Sequence, residues 1–389
     1  MNGIMRVFRK PGFAWDDRVL FYFAFFLMAF AKAFGLDKGN NIYYVLFAAA
    51  ALLLGVRVLF IIKKDVRLMV KIIFVLLPCG VLFLSARETT LLFTGLFLVA
   101  SKDIDFEAAM KGSLAVYLTA IPLKICLYLF GIVEGGSKDI YAYDVKEEVA
   151  YFLETTYGYG YNHPNAFMAV VVIAVLLLFY VRREKLTPFI LLTSSAAVAG
   201  VFWLTQSKTG MIIYLVVLAG VVLLKLLQQY KANALALYCA MIILAAIAMG
   251  ILFPLCYSPE NQLLKLINHK LISGRFSLAQ EALASSGISL LGKGSAFSDI
   301  LYINALLNCG IIGFVMVLFG AGAWVAAFVK ERNRIGLLCA AAMILYACME
   351  QFPLNIAMNP FLLYVGTNSL YRSKKGGTTT ETSDICTER

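Results

Sequence analysis

The polar groups that chemistry requires are few in this chain, and they gather in short stretches. Gln206-Ser207-Lys208-Thr209-Gly210 precedes a long apolar run. A helix starting there has free N–H groups and a positive dipole end, and Lys208 adds a full charge. That combination favours phosphate, and it equally describes a polar cap with a snorkelling lysine. Ser273-Gly274-Arg275 supplies a second cation. Its guanidinium can clamp a phosphate through two N–H bonds or meet lipid headgroups. In Tyr157-Gly158-Tyr159-Gly160-Tyr161-Asn162-His163-Pro164-Asn165, Pro164 suits a first helical turn and Asn162 its cap. This stretch reads either as a capped helix start with turn glycines or as a mouth that presents His163 and Asn165. Asp299 and Tyr302 stand where a polar stretch meets the next apolar run. Asp299 is a base if its surroundings lift its pKa, and otherwise a helix cap. Lys124 lies deep in an apolar run just after Pro122. A charge there costs about 2.5–3.5 kcal/mol on insertion scales, so a cavity or a partner is expected beside it. Glu350 is a candidate partner for one of the cations.

Several chemistries are excluded. No Gly-rich loop ends in Gly-Lys-Ser/Thr, which counts against an ATP-driven pump. With only His163 and His269, a His-rich metal site is not available, and no metal or cofactor is expected. Eight cysteines give no disulfide framework: six fall in apolar segments, Cys256 opens a long loop, and Cys386 lies in the tail. A net charge of +11 raises nucleic acid as a partner, but the basic residues sit mainly in short loops and tails.

The elements that must position these groups are membrane helices. The chain is 61% hydrophobic and 15% charged, with a mean hydropathy of +0.82. Several apolar runs reach the ~18 residues that cross a bilayer, and solid runs argue for helices over a barrel. The expected fold is an all-α polytopic bundle of about twelve spans: 19–36, 42–62, 68–86, 89–101, 112–133, 164–181, 188–205, 210–227, 234–255, 301–329, 335–352 and 359–371. The first follows a basic stretch without a small-residue cleavage site, so it reads as an uncleaved span. Arg57 and Lys32 lie near span ends and can snorkel.

Lysines and arginines concentrate at one set of alternate ends, which places both termini in the cytoplasm. Two long loops then face outside, 134–163 and 256–300. The first is acidic and tyrosine-rich. In the second, Leu263, Leu264, Ile267 and Leu271 recur at helical spacing, Ser273-Gly274 breaks that helix, and a second short helix runs from Arg275 to Ala284, ending near Gly287. Residues 1–372 form one integral membrane domain, and 373–389 a disordered cytoplasmic tail. No internal repeat is visible, which weighs slightly against a transporter.

Four pieces, in order, give the chain a resemblance to the bacterial O-antigen polymerase and ligase superfamily, especially capsule and exopolysaccharide polymerases of Gram-positive type. They are Gly158-Tyr159-Gly160-Tyr161-Asn162-His163-Pro164-Asn165; Thr205-Gln206-Ser207-Lys208-Thr209-Gly210; Ser273-Gly274-Arg275 followed by Leu291-Gly292-Lys293-Gly294; and Asp299-Ile300-Leu301-Tyr302 with Gly310-Ile311-Ile312-Gly313. Glu350 and Asn359-Pro360-Phe361-Leu362 are also similar to the family. Lys208 stands where the family usually has Arg, Asp299 where ligases carry His, and Ile300 replaces the usual Asn.

The resemblance implies a metal-independent membrane glycosyltransferase that polymerises undecaprenyl-pyrophosphate-linked repeats. Arg275 and Lys208 would bind pyrophosphate, and His163 or Asp299 would act as base. Asn165, Tyr302, Glu350 and Lys124 would support them. The setting would be the bacterial cytoplasmic membrane, among lipid and beside a flippase and a chain-length regulator of the same pathway. A ligase acting on another acceptor, or a transporter or flippase using Lys124 and Glu350, are the alternatives.

Overall fold

A computed structural model describes residues 16–144, 149–226, 233–270, 272–294 and 296–371. The basic amino-terminal stretch, Leu271 and the tail 373–389 with Cys386 lie outside the described residues.

The chain folds as a helical bundle. In order come α1 (Arg18–Ala33), α2 (Asn41–Lys64), α3 (Leu68–Ala86), α4 (Thr89–Ala100) and α5 (Phe106–Leu129). A hairpin of β1 (Ser137–Asp144) and β2 (Val149–Tyr157) follows. Then come α6 (Pro164–Val181), α7 (Pro188–Thr205), α8 (Lys208–Leu226) and α9 (Asn233–Ile247), which passes through a wide turn, Ala248–Leu252, into α10 (Phe253–Cys256). Beyond these lie α11 (Gln262–Lys270), α12 (Arg275–Ser286), α13 (Leu301–Asn308), α14 (Gly310–Lys330), α15 (Arg334–Tyr346) and α16 (Leu363–Val365).

Eight helices are long and apolar enough to cross a membrane: α2, α3, α5, α6, α7, α8, the Ala234–Cys256 unit and α14. Their outward faces carry exposed Phe74, Phe189, Trp203 and Phe319, a pattern that suits lipid and not water. Five of the twelve expected spans are shorter or broken. α1 has 16 residues, α4 12 and α15 13, and the 359–371 run is a series of single turns. The expected 301–329 span divides at Gly310, which adopts φ +69, so α13 and α14 are separate helices.

Two helices form the centre. α6 and α15 are buried nearly all round, as helices apolar on every face must be. α15 packs against α6, α8, α9 and α14, and its Cys339-Ala340-Ala341-Ala342 run keeps its surface small. Glycines on α8 let it close on this centre: a Cβ at Gly210 would meet Met168 at 2.3 Å, and one at Gly220 would meet Leu338 at 2.5 Å. The start of α6 and the end of α15 emerge at the same end of the bundle, and the candidate site is built there.

The hairpin departs from the all-α expectation. Ser137 pairs with Tyr157 and Asp144 with Val149, with one irregularity at Ile140/Tyr141. Val149, Phe152, Thr155, Thr156 and Tyr157 are β-formers, but the acidic residues around them make the stretch read as an open loop. The second long loop matches its expectation closely. α11 is followed by left-handed Ser273 and Gly274, and α12 then runs to a break at Gly287.

Candidate functional site

Arg275 is the centre of the site. It is the first residue of α12, and the turn before it is fixed by Asn268, which is fully buried. Asn268 accepts from Phe276 N at 2.8 Å through its side chain and from Gly274 N at 2.7 Å through its carbonyl. Its amide donates to Ser277 Oγ at 3.2 Å and Tyr257 Oη at 3.3 Å. The guanidinium of Arg275 is 8% exposed. Its Nη1 donates to Ile272 O at 3.2 Å and its Nη2 to Glu350 Oε1 at 3.0 Å. Asp299 Oδ2 stands 3.5 Å from Nε, an ion-pair separation without a hydrogen bond, so Nε is buried and unsatisfied.

Glu350 leaves the end of α15 and also accepts from Asn165 Nδ2 at 3.4 Å. Burial pushes its carboxyl up to about 7; Arg275 and Lys138 pull it down, and Asp299 raises it. The Gln351 amide donates to Ser298 O, tying the Asp299 segment to the end of α15.

His163 begins α6, where Pro164 occupies the first turn. The cap there is His163 and not Asn162: Asn165 N donates to His163 Nδ1 at 3.1 Å. Burial holds the imidazole below the usual histidine range, and Lys138 and Arg275 add to that. The glycine-rich turn before it is anchored by Tyr161, which is buried, donates to Ala33 O at 2.8 Å and stacks on Phe167 at 5.3 Å.

His163, Asn165, Arg275, Asp299 and Glu350 line one cavity of about 500 Å³. It continues past Tyr43, Thr89 and Thr90 to Lys32, which pairs with Asp37. Lys32 thus reaches outward past the end of α1 and also lines the cavity.

Three expected residues are not in this cavity wall. Lys208 is an exposed first residue of α8 with no ion-pair partner among the described residues. Its charge still reaches Lys138. Tyr302 is buried and donates to Ile344 O at 2.9 Å, with its ring filling the space beside Gly250. Lys124 is buried with its ammonium 4.6 Å from the centre of the Phe34 ring; it meets a π face and the Gly160 turn, and not Glu350. Asp299 does not cap α13, whose cap residue is Ile300.

One cation was missed. Lys138 on β1 is half-buried, and burial holds its ammonium below the usual lysine range. Arg275 and Lys208 add to that depression, and Glu350 and Asp299 oppose it. The hairpin base brings it there. Gly136 N donates to Tyr161 O and Gly158 N to Gly136 O, both at 2.8 Å, and a Cβ at Gly136 would lie 1.9 Å from Asn162 O. No spacing in the sequence signals this pairing.

Among the described residues no three His, Cys, Asp or Glu side chains gather as a metal site. The arrangement is suited to an anion that competes for Arg275, beside carboxylates able to accept a proton. Comparison with protein-family models, with curated proteins and with solved structures finds no match.

Proposed function

We propose that this chain is a membrane glycosyltransferase that joins undecaprenyl-pyrophosphate-linked oligosaccharide repeats into capsular or exo-polysaccharide at the outer face of the bacterial cytoplasmic membrane. The observation that carries the reading is Arg275, a buried guanidinium shared by two carboxylates in a cavity wall, with one N–H unused. A pyrophosphate supplies more charge and more acceptors than Asp299 can offer at its distance. Lys138 and Lys208 extend the positive field around it.

In this reading a growing glycan on undecaprenyl pyrophosphate is the donor and a second lipid-linked repeat the acceptor. A hydroxyl of the acceptor attacks the anomeric carbon, and the lipid pyrophosphate leaves. Arg275 stabilises the charge that develops on it, the preorganised electrostatic role that dominates many such steps. Lys208 acts at longer range than the family resemblance implies. The positive-inside bias puts both termini in the cytoplasm and this end of the bundle outside, with lipid reaching the cavity from the side. The flippase and chain-length regulator of the same pathway are the expected partners. A transporter would use Lys124 and Glu350 as coupling or substrate groups, and here Lys124 lies against the Phe34 ring while Glu350 is joined to Arg275.

Disrupting the gene is expected to leave single lipid-linked repeats outside the cell. Restoring the parent restores polymer, and Arg275→Ala at equal protein level does not. Full-length polymer with Arg275→Ala contradicts the proposal, and repeats trapped inside the disrupted cell point to a flippase instead.

A further inference from the structure

We infer that Glu350 is the proton acceptor of the reaction, the group that takes the proton of the attacking hydroxyl. The inference rests on the glycosyl-transfer reading above. Both hydrogen-bond donors of Glu350, Arg275 Nη2 and Asn165 Nδ2, fall on the same oxygen, Oε1. Oε2 has no donor among the described residues, and the side chain forms part of the cavity wall. One oxygen is thus held in place from α12 and α6, and the other, on a side chain that lines the cavity, is left without a donor among the described residues. A base must be oriented and within reach of the proton it takes, and this is such an arrangement.

The other two acids and bases of the wall are less suited. His163 already spends Nδ1 on the cap of α6. It also lies near Lys138 and Arg275, both of which oppose a positive imidazolium. Asp299 is 34% exposed, and its Oδ2 is turned to Arg275 Nε at 3.5 Å and not held by a hydrogen bond. Glu350 is enclosed. The charged and titratable groups that act on it among the described residues are Arg275 from α12, Lys138 from β1, Asp299 from the segment before α13 and the buried Tyr346 at the end of α15. The balance of burial and these neighbours brings its carboxyl into the neutral range, where a general base is most effective.

The step balances without any further reactant. The acceptor O–H bond breaks and its proton passes to Glu350 Oε2. The oxygen forms the new bond to the anomeric carbon. The bond from that carbon to the pyrophosphate oxygen breaks, and its electron pair leaves with the lipid pyrophosphate beside Arg275. Glu350 ends as a neutral acid and returns its proton to water when the product leaves.

Glu350→Gln tests this with little change of shape, because the amide oxygen can still accept from Arg275 and Asn165. The substrate is undecaprenyl-pyrophosphate-linked repeats extracted from cells lacking the gene, given to purified parent and variants over a pH series. The parent rate should fall on the acid side with a midpoint near 7, because a protonated carboxyl cannot accept. Glu350→Gln should lose about 10²–10⁴-fold in kcat with KM little changed, and its residual rate should lack the acid limb. Glu350→Asp, which keeps the charge but withdraws the oxygen from the cavity, should lose part of kcat and keep an acid limb. A Gln variant with the parent's kcat and acid limb overturns the inference and leaves the glycosyl-transfer reading intact. A parent that does not polymerise these repeats overturns both. If the Gln variant does not fold, the Asp variant decides: kcat unchanged from the parent overturns the inference, and a lowered kcat with the limb retained supports it.

Discussion

Each end of the bundle holds a buried arginine, and the two are treated differently. Arg57, 1% exposed, uses all three guanidinium nitrogens: Nε on Ala100 O at 2.6 Å, Nη1 on Asp17 Oδ2 at 2.8 Å and Nη2 on Lys102 O at 2.5 Å. Lys64 also binds Asp17, at 2.6 Å. Nearby, Arg183 pairs with Glu107 at 2.6 Å, Tyr180 Oη donates to the same carboxylate at 3.1 Å, and Asn333 donates to Tyr180 Oη at 3.0 Å. At the opposite end Arg275 has one nitrogen unused and shares two carboxylates over an open cavity. Burial of a charge alone therefore does not mark function. What separates the two is whether protein acceptors already saturate the cation.

The contrast can be broken first by sidedness, where the expected effect is all or none. In a cysteine-free background, a cysteine at Glu260 should react with an impermeant thiol reagent on intact cells, and one at Asp103 only after lysis. Equal labelling of both, or protection of Glu260 until lysis, removes the outside placement of the cavity.

Next come the arginines themselves. Arg57→Ala leaves the Ala100 and Lys102 carbonyls without their donor and Asp17 with Lys64 alone, and a buried group left unsatisfied costs about 1–3 kcal/mol, so folded protein should fall while the surviving fraction keeps its turnover. Arg275→Ala should show the reverse. Its partner Glu350 can take up a proton instead of standing as an uncompensated charge. Folded protein should largely persist, and turnover should fall by about 10²–10³, the usual worth of one well-placed donor at a leaving group. Thermal unfolding of both variants beside a polymerisation assay checks this. Equal profiles for the two variants would erase the distinction.

Asn268→Ala should cost about 1–3 kcal/mol by leaving the Phe276 N–H buried without an acceptor, and it should lower turnover as well, because the Arg275 turn depends on that side chain. A stability loss with unchanged turnover would show that Arg275 is held by other means. The smallest effect belongs to Lys208→Gln. Lys208 is exposed and outside the cavity wall, so its field is screened, and its contribution should shrink as salt is added. A large, salt-independent loss would bring Lys208 into direct contact with substrate.

The same residues show how much could be read in advance. Arg275 and His163 were legible because the local signals are strong. Ser-Gly before an arginine stops one helix and starts another, and proline after histidine fixes a first turn. The Glu350–Arg275 pair was half legible: a carboxylate near a span end needs a partner, but only packing of α15 against the loop chooses which one. Lys138 was not legible, because hairpin register and the Gly136 contact with Asn162 decide its position, and both are long-range. Lys124 has the partner its position requires, while Arg57 departs from its expectation. That partner is an aromatic face, whose identity only packing decides, and an arginine near a span end turned inward to two carbonyls instead of snorkelling. Counting spans from apolarity alone also overreached at Gly310, where one left-handed residue divides a run that read as a single span.

The central claim is that Arg275 is a pyrophosphate receptor, and binding tests it without any sugar chemistry. Purified parent protein should bind undecaprenyl pyrophosphate more tightly than undecaprenyl monophosphate. Arg275→Ala should lose that preference, and Arg275→Lys should recover little of it, because a point charge does not reproduce the two-pronged contact. Parent and Arg275→Ala proteins that bind the two lipids alike would contradict the account.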